Sequence, residues 1–428
     1  MESYTIVGGI PLRGTVEVSG SKNAALALMA GSLLVEGEVV LHNVPQIEDV
    51  STMLALLQGL GVQLERQGST VRLYTRTLTS AQPDPKLVNR MRASFYIFGP
   101  LLARLGYARM PHPGGCQIGS RPVNFHLNGL RALGAKIQEE ETLYVAHANR
   151  LCGARIYFDV PSAGATQQLM TAAVCAEGLT IIENAAVEPE VVNLANFLNA
   201  AGARIEGAGT STLYIEGVRQ LRPFIEYTVI PDRLEAGTFA LAGAITRGEV
   251  RIERIVPEHL HALLSKLSES GVQVQEEETA ILLRARDPLY AVDIRTLPYP
   301  GFPTDLQQPM CAYLTLAQGA SVVHETIYES RIQHVPELQR MGADIMVEGR
   351  TIVIRGVPRL RGARIRATDL RGGAALVLAA LAAEGTSYVE EVYHIDRGYE
   401  RLEEKLRGLG AQIERVQSYA AVNPLVES

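Results

Sequence analysis

One short pattern recurs six times along the chain and limits what it can fold into. A small-to-medium residue, then Gly, then Val or Ala stands at Leu60-Gly61-Val62, Leu133-Gly134-Ala135 and Ala201-Gly202-Ala203. It returns at Ser270-Gly271-Val272, Met341-Gly342-Ala343 and Leu409-Gly410-Ala411, at intervals of 68 to 73 residues. A second glycine precedes each at a turn: Gly37, Gly106, Gly178, Gly248, Gly319 and Gly385. Repetition at a fixed period means one supersecondary unit used many times.

Each unit reads as helix, turn, strand, loop, helix, glycine, strand, strand. In the first copy Ile47, Val50, Met53, Leu54 and Leu57 fall on one helical face. In the last copy Tyr399, Leu402, Leu406 and Leu409 do the same. The repeat glycine then caps the helix, because positive φ costs glycine little. Five of the earlier turns lead into apolar strand-like runs, such as Val39-Val40-Leu41, Ile181-Ile182 and Val322-Val323. Ala280–Arg284 and Thr351–Arg355 read as the alternating strands that close a unit.

A unit of about 70 residues holds one sheet and its covering helices, too little to close a core alone. Three units packed together bury their helices centrally. The expected fold is therefore α/β, with six units in two three-unit domains and an active cleft between them. Six copies in an open solenoid are the alternative. The divergence of the loops argues for the closed arrangement.

The chain has 428 residues, 47% hydrophobic and 20% charged, with a net charge of −6. That is a globular composition, and it offers no global basic field for nucleic acid. Cys116, Cys152, Cys175 and Cys311 are spread without metal-ligand spacing. Neither zinc nor a disulfide framework is expected, and a reducing, cytoplasmic setting fits. The N-terminus lacks the charge-then-apolar pattern of a signal peptide. The most apolar helical run, Gly372–Ala383, is too short to span a bilayer. No membrane or nucleic-acid partner is expected, and the sequence leaves the oligomeric state open, with a monomer compatible.

The chemistry concentrates at loops and helix starts. Pro111–Pro122, PHPGGCQIGSRP, sets Cys116 among glycines and prolines that cannot hold regular structure. Arg121 lies five residues after the thiol, and a nearby guanidinium favours thiolate. The alternative is a small buried hydrophobe. Ser21-Lys22-Asn23 opens a helix, where an anion is favoured; Ser21 as a plain N-cap is the other reading. Arg92, the Ser162-Ala163-Gly164 run, Asp305 and Arg371 stand at corresponding helix starts, and Arg397 follows His394-Ile395-Asp396. Asp305 also reads as a helix cap, and any single arginine as a surface ion pair. As a set, several cations, a thiol and a carboxylate suit group transfer on a multiply anionic small molecule.

Ordered motifs extend over the whole chain. They are Ser21-Lys22-Asn23-Ala24-Ala25, Met91-Arg92-Ala93-Ser94, Gly114-Gly115-Cys116 and Arg121-Pro122-Val123. Gly164-Ala165-Thr166, Pro231-Asp232-Arg233, Tyr299 to Asp305 and His394 to Tyr399 follow. With these the chain resembles the enolpyruvyl transferase family, in its branch of UDP-N-acetylglucosamine 1-carboxyvinyltransferases. The resemblance implies an inside-out α/β barrel of six βαβαββ repeats, three per domain, helices inside and sheets outside. It implies one domain over 22–230 and another over 1–21 plus 231–428, joined by two crossings.

It also implies transfer of the enolpyruvyl group of phosphoenolpyruvate to the 3′-hydroxyl of UDP-N-acetylglucosamine, with no cofactor or metal. By motif, Lys22, Arg121 and Arg397 hold the phosphate, with Asn23 beside them, and Arg371 meets the carboxylate side. Cys116 donates a proton, and Asp305 takes the sugar-hydroxyl proton. Arg92, Arg121, Pro122, Val123, Asn124, Phe125, Ser162, Ala163, Gly164, Asp305 and Ile327 line the nucleotide-sugar site. Asn124, Val160 and Ala163 depart from the residues common in relatives, which removes one phosphate contact. Two rivals remain: the related transferase acting on shikimate 3-phosphate, and a catalytically silent sugar-nucleotide binder.

Overall fold

The computed structural model describes residues 2–114, 119 and 122–417. Cys116 and Arg121 lie outside the described residues. The chain divides into two compact units. One comprises 2–18, 234–297 and 302–417; the other comprises 19–233 with 298–301.

In the first unit three sheets share one strand order. A parallel edge strand is followed by three antiparallel-paired strands. The sheets are Arg13–Glu17, Glu249–Glu253, Ala280–Arg284, Gln273–Glu276; Ile294–Arg295, Ala320–His324, Thr351–Arg355, Asp344–Glu348; and Arg364–Arg366, Thr386–Glu390, Glu2–Val7, Gln412–Gln417. Two strands come from far away in sequence. Arg13 pairs with Glu249, and Tyr4 lies between Val389 and Arg415. Helices Arg233–Ile245, Gln307–Leu314 and Leu370–Ala382 fill the middle of this unit. Leu234 to Ile245, all of Gln307–Leu314 and Leu370 to Leu381 are buried. The first and the last are rich in Ala, which favours helix and takes little space. At Gly373 a Cβ would come within 2.7 Å of Ile395 Cγ1, so only glycine fits that approach.

The other unit repeats the order in Phe224–Thr228, Glu38–His42, Thr70–Tyr74, Gln63–Gln67 and in Arg155–Tyr157, Leu179–Glu183, Thr212–Glu216, Arg204–Glu206. Its remaining sheet, Tyr107–Pro111, Leu143–His147, Lys136–Glu139, has three strands. Buried helices Lys22–Gly31, Phe98–Leu105 and Ala163–Ala173 face inward. Each unit has its own apolar core. Fully burying one leucine there contributes about 1.5–3 kcal/mol. Among the described residues every sheet is open; none closes on itself.

All six repeat glycines take positive φ, from +93° at Gly410 to +103° at Gly61 and Gly202. The preceding turn glycines divide. Gly106, Gly178, Gly319 and Gly385 are also positive, whereas Gly37 and Gly248 are not. At those two a Cβ would sit 1.7 Å from Pro223 O and 2.1 Å from Leu12 O. Both lie where a strand from a distant part of the chain enters the sheet, so the need is for space.

Two helical expectations change. Tyr399 lies outside its helix, which runs only over Leu402–Gly408, because Arg401 takes φ +48° and breaks the turn. Arg92 opens a 3-10 helix over Arg92–Ile97 that leads into Phe98–Leu105, after a separate helix over Pro85–Arg90.

Candidate active site

In the first unit the chemistry gathers around Asp305. It stands in the 3-10 turn Thr304–Leu306, and that turn has no side-chain cap. Its carboxylate meets two guanidiniums instead. Arg331 Nη1 donates to Oδ1 at 2.8 Å, and Arg371 reaches Oδ2 through Nε and Nη2, both at 3.3 Å. Arg371 projects from the first turn of the central helix and is 1% exposed. Its guanidinium lies 5.1 Å from the Tyr399 ring centroid. Asp369 is the N-cap of that helix and accepts from Arg371 N at 3.0 Å and Gly372 N at 3.1 Å. Gln308 Nε2 donates to its other oxygen at 3.0 Å.

Glu325 shapes the loop that carries Ile327 and leads to Arg331. It is 1% exposed and accepts from Thr296 Oγ1, Thr304 Oγ1, Ile327 N and Tyr328 N at 2.8 to 3.1 Å. A buried carboxylate with four donors fixes its surroundings firmly. Burial alone would lower the Arg331 pKa, but Asp305 and Asp369 outweigh it and hold it above its ordinary value.

In the other unit Ser21 is the N-cap of helix Lys22–Gly31, and its Oγ accepts from Ala24 N at 3.3 Å. Lys22 is the first helical residue, with Asn23 next, partly exposed. Asp232 accepts from Lys22 N at 3.0 Å, and Asp49 accepts from Lys22 Nζ at 3.1 Å. An anionic ligand at this ammonium competes with Asp49. Ser162 caps helix Ala163–Ala173 through Ala165 N, leaving Ser162, Ala163 and Gly164 half-buried. A Cβ on Gly164 would lie 3.2 Å from the Tyr96 ring and 3.4 Å from the His126 ring. Arg92 Nη1 donates to Pro113 O at 3.4 Å. Pro122 and Asn124 are exposed, Phe125 is partly buried and Val123 is buried.

The chain matches the EPSP synthase (3-phosphoshikimate 1-carboxyvinyltransferase) family over residues 6–406. It belongs to this enolpyruvyl transferase family. A relative from Carboxydothermus hydrogenoformans, UDP-N-acetylglucosamine 1-carboxyvinyltransferase 2, is 54% identical over 97% of this chain and 100% of its own length. One from Caldanaerobacter subterraneus subsp. tengcongensis, with the same enzyme name and the number 1, is 50% identical over 95% and 97%. Among solved structures, the enolpyruvyl transferase NikO from Streptomyces tendae matches with a TM-score of 0.88 at 26% identity, covering 98% and 99%. EPSP synthase from Acinetobacter baumannii, at 19% identity and TM-score 0.76, shares the fold.

Within this family member the structure brings Asp305 and Arg371 together. Ile327 stands on the turn fixed by Glu325, and Arg397 follows the short helix Tyr393–Asp396 in the same unit. Sequence reading missed Arg331, Glu325, Gln308 and Asp49. The partner of Asp305 sits 26 residues away in a loop with no periodicity, so no spacing rule finds it. The cap position of Asp369 was readable, since Asp before an apolar helical run is an N-cap signal.

Two buried histidines give a pH-dependent expectation. Burial pushes both His334 and His126 down to about 4; Arg331 and Arg92, respectively, reinforce the shift. Asp369 opposes it at His334, and the Gln168 hydrogen bond opposes it at His126. Below about pH 6.5 the unfolded chain takes up protons that the folded histidines refuse. Stability is therefore complete above that value and falls as pH drops towards 4. Each histidine contributes on the order of 2–3 kcal/mol to the loss at pH 4. Urea unfolding midpoints across that range check this, and His334→Gln should flatten the dependence.

Proposed function

We propose that this chain transfers the enolpyruvyl group of phosphoenolpyruvate to the 3′-hydroxyl of UDP-N-acetylglucosamine, releasing phosphate. This is the first committed step of peptidoglycan synthesis and so of cell-wall building. The observation that carries the reading is the full-length likeness, at about half identity, to enzymes named for that reaction. The solved EPSP synthase from Acinetobacter baumannii, at 19% identity, shares only the fold.

The site residues take the following parts in this reading. Lys22, Arg121 and Arg397 hold the phosphate, and Arg371 faces the carboxylate of phosphoenolpyruvate. Cys116 gives its proton to the vinyl carbon, and positive charge develops at the neighbouring carbon. The sugar oxygen attacks that carbon while Asp305 takes its proton. The Cys116 thiolate then takes a proton back from the new methyl group as the carbon–oxygen bond to phosphate breaks, and the proton held by Asp305 leaves with the phosphate. The fixed cations stabilise the phosphate as it leaves. Arg92, Pro122 to Phe125, Ser162 to Gly164 and Ile327 bind the nucleotide sugar.

In each unit the sheets and inward helices support the inside-out α/β reading, with βαβαββ as the repeated element. The unbridged Cys152, Cys175 and Cys311 support a cytoplasmic setting.

The deciding experiment is phosphate release with both substrates. Release with UDP-N-acetylglucosamine, and none with shikimate 3-phosphate, is the expected result. Nucleotide-sugar binding without release would overturn the reading in favour of a silent binder.

A further inference from the structure

Residues 397–401 join the helix Tyr393–Asp396 to the helix Leu402–Gly408. This loop carries Arg397, and also Tyr399, whose ring meets the Arg371 guanidinium. The Tyr399 hydroxyl shares a 2.8 Å hydrogen bond with Thr238 Oγ1, which anchors the loop's middle to the central helix Arg233–Ile245.

Both ends of the loop are tied to one residue. Arg415, on the strand Gln412–Gln417, donates to Asp396 in a two-pronged pair, Nη2 to Oδ1 at 2.6 Å and Nη1 to Oδ2 at 3.0 Å. Its Nε donates to Glu403 Oε1 at 2.7 Å. Thus the residue just before Arg397 and a residue just after the loop share one guanidinium. Arg415 also donates to the Tyr4 hydroxyl at 2.8 Å and to Glu2 at 2.7 Å. Tyr4, fully buried, donates in turn to Glu403 Oε2 at 2.9 Å.

A lone exposed ion pair would contribute little. Here the planar fork of one guanidinium sets the angles of several acceptors at once, on elements brought together from both ends of the sequence. A lysine cannot reproduce that geometry.

We propose that Arg415 is a positioning residue, which fixes the 397–401 loop and so the place from which Arg397 meets the phosphate of phosphoenolpyruvate. This rests on the reading of Arg397 given above. A misplacement of about 1 Å caused by a change away from the chemistry costs up to about a hundredfold in rate.

The test is steady-state phosphate release by the full chain, with folding followed by thermal unfolding. In Arg415→Met, kcat/KM for phosphoenolpyruvate should fall roughly ten- to a hundredfold, with KM for UDP-N-acetylglucosamine little changed. Asp396→Asn should move the same parameter in the same direction, and it replaces Arg415→Met if that variant fails to fold. Arg415→Lys should recover only part of the loss. On an Arg397→Ala background Arg415→Met should add almost nothing, because the two act through one contact. An equal loss on both backgrounds would overturn the proposal, as would lowered thermal stability with unchanged kcat/KM. A wild-type chain that releases no phosphate, or an Arg397→Ala variant of normal activity, sinks the underlying reading instead.

Discussion

Asp305→Asn should lower kcat by about two to four orders of magnitude, the range set by loss of a positioned general base. KM for UDP-N-acetylglucosamine changes far less, because the lost interaction develops as the sugar oxygen gives up its proton. The substitution keeps the shape of the side chain but removes its charge. It also turns an amide NH₂ towards one of the two guanidiniums, Arg331 or Arg371, which offer only donors, while the amide oxygen still accepts from the other. Those two residues are 4% and 1% exposed in their side chains, and Asp305 is 25% exposed. Taking one partner from a buried pair costs about 3–5 kcal/mol. The exposed side of Asp305 reduces that cost, so a lowered unfolding midpoint is expected alongside the lost turnover. Rates are therefore compared per folded molecule. A near-normal kcat would remove Asp305 from the proton transfer and leave it as the counter-ion of Arg331 and Arg371.

The repeat was legible because its signal is conformational. A helix that ends in left-handed backbone needs glycine, and all six repeat glycines meet that need. The strands Ala280–Arg284 and Thr351–Arg355 were legible by alternation, each with one face towards its core. Pairing between distant segments left no local mark. Nothing in Arg13–Glu17 announces that it lies beside Glu249–Glu253, although the family likeness implied that the N-terminal segment packs with the later half. The candidate residues were legible as charges at helix starts within each unit. Their wiring was not, since Arg331, Glu325 and Gln308 reach their partners through the fold. Asp305 shows the difference: its sequence position suggested a cap, and its carboxylate serves two arginines.

Small epoxide phosphonates that imitate phosphoenolpyruvate should alkylate one cysteine of the four, Cys116. The selectivity comes from thiolate supply combined with placement. Arg121, five residues along the sequence, would favour the thiolate, and bound cations would hold the phosphonate with its electrophilic carbon at the sulfur. The other thiols lack one or both advantages. Cys311 is fully buried, and burial pushes its pKa well up. Burial pushes Cys175 up to about 11, leaving little thiolate at neutral pH. Cys152 is exposed, so it competes only by unguided collision. Bound nucleotide sugar should speed labelling, because it orders the site around the electrophile. Cys116→Ser should abolish specific labelling. Cys116→Asp should abolish it too while keeping part of the turnover, because a carboxylic acid still donates a proton. Peptide mapping after treatment reads the outcome directly. Label found mainly on Cys152, with Cys116 untouched, would take the thiol out of the reaction and with it the proton donor of the addition step.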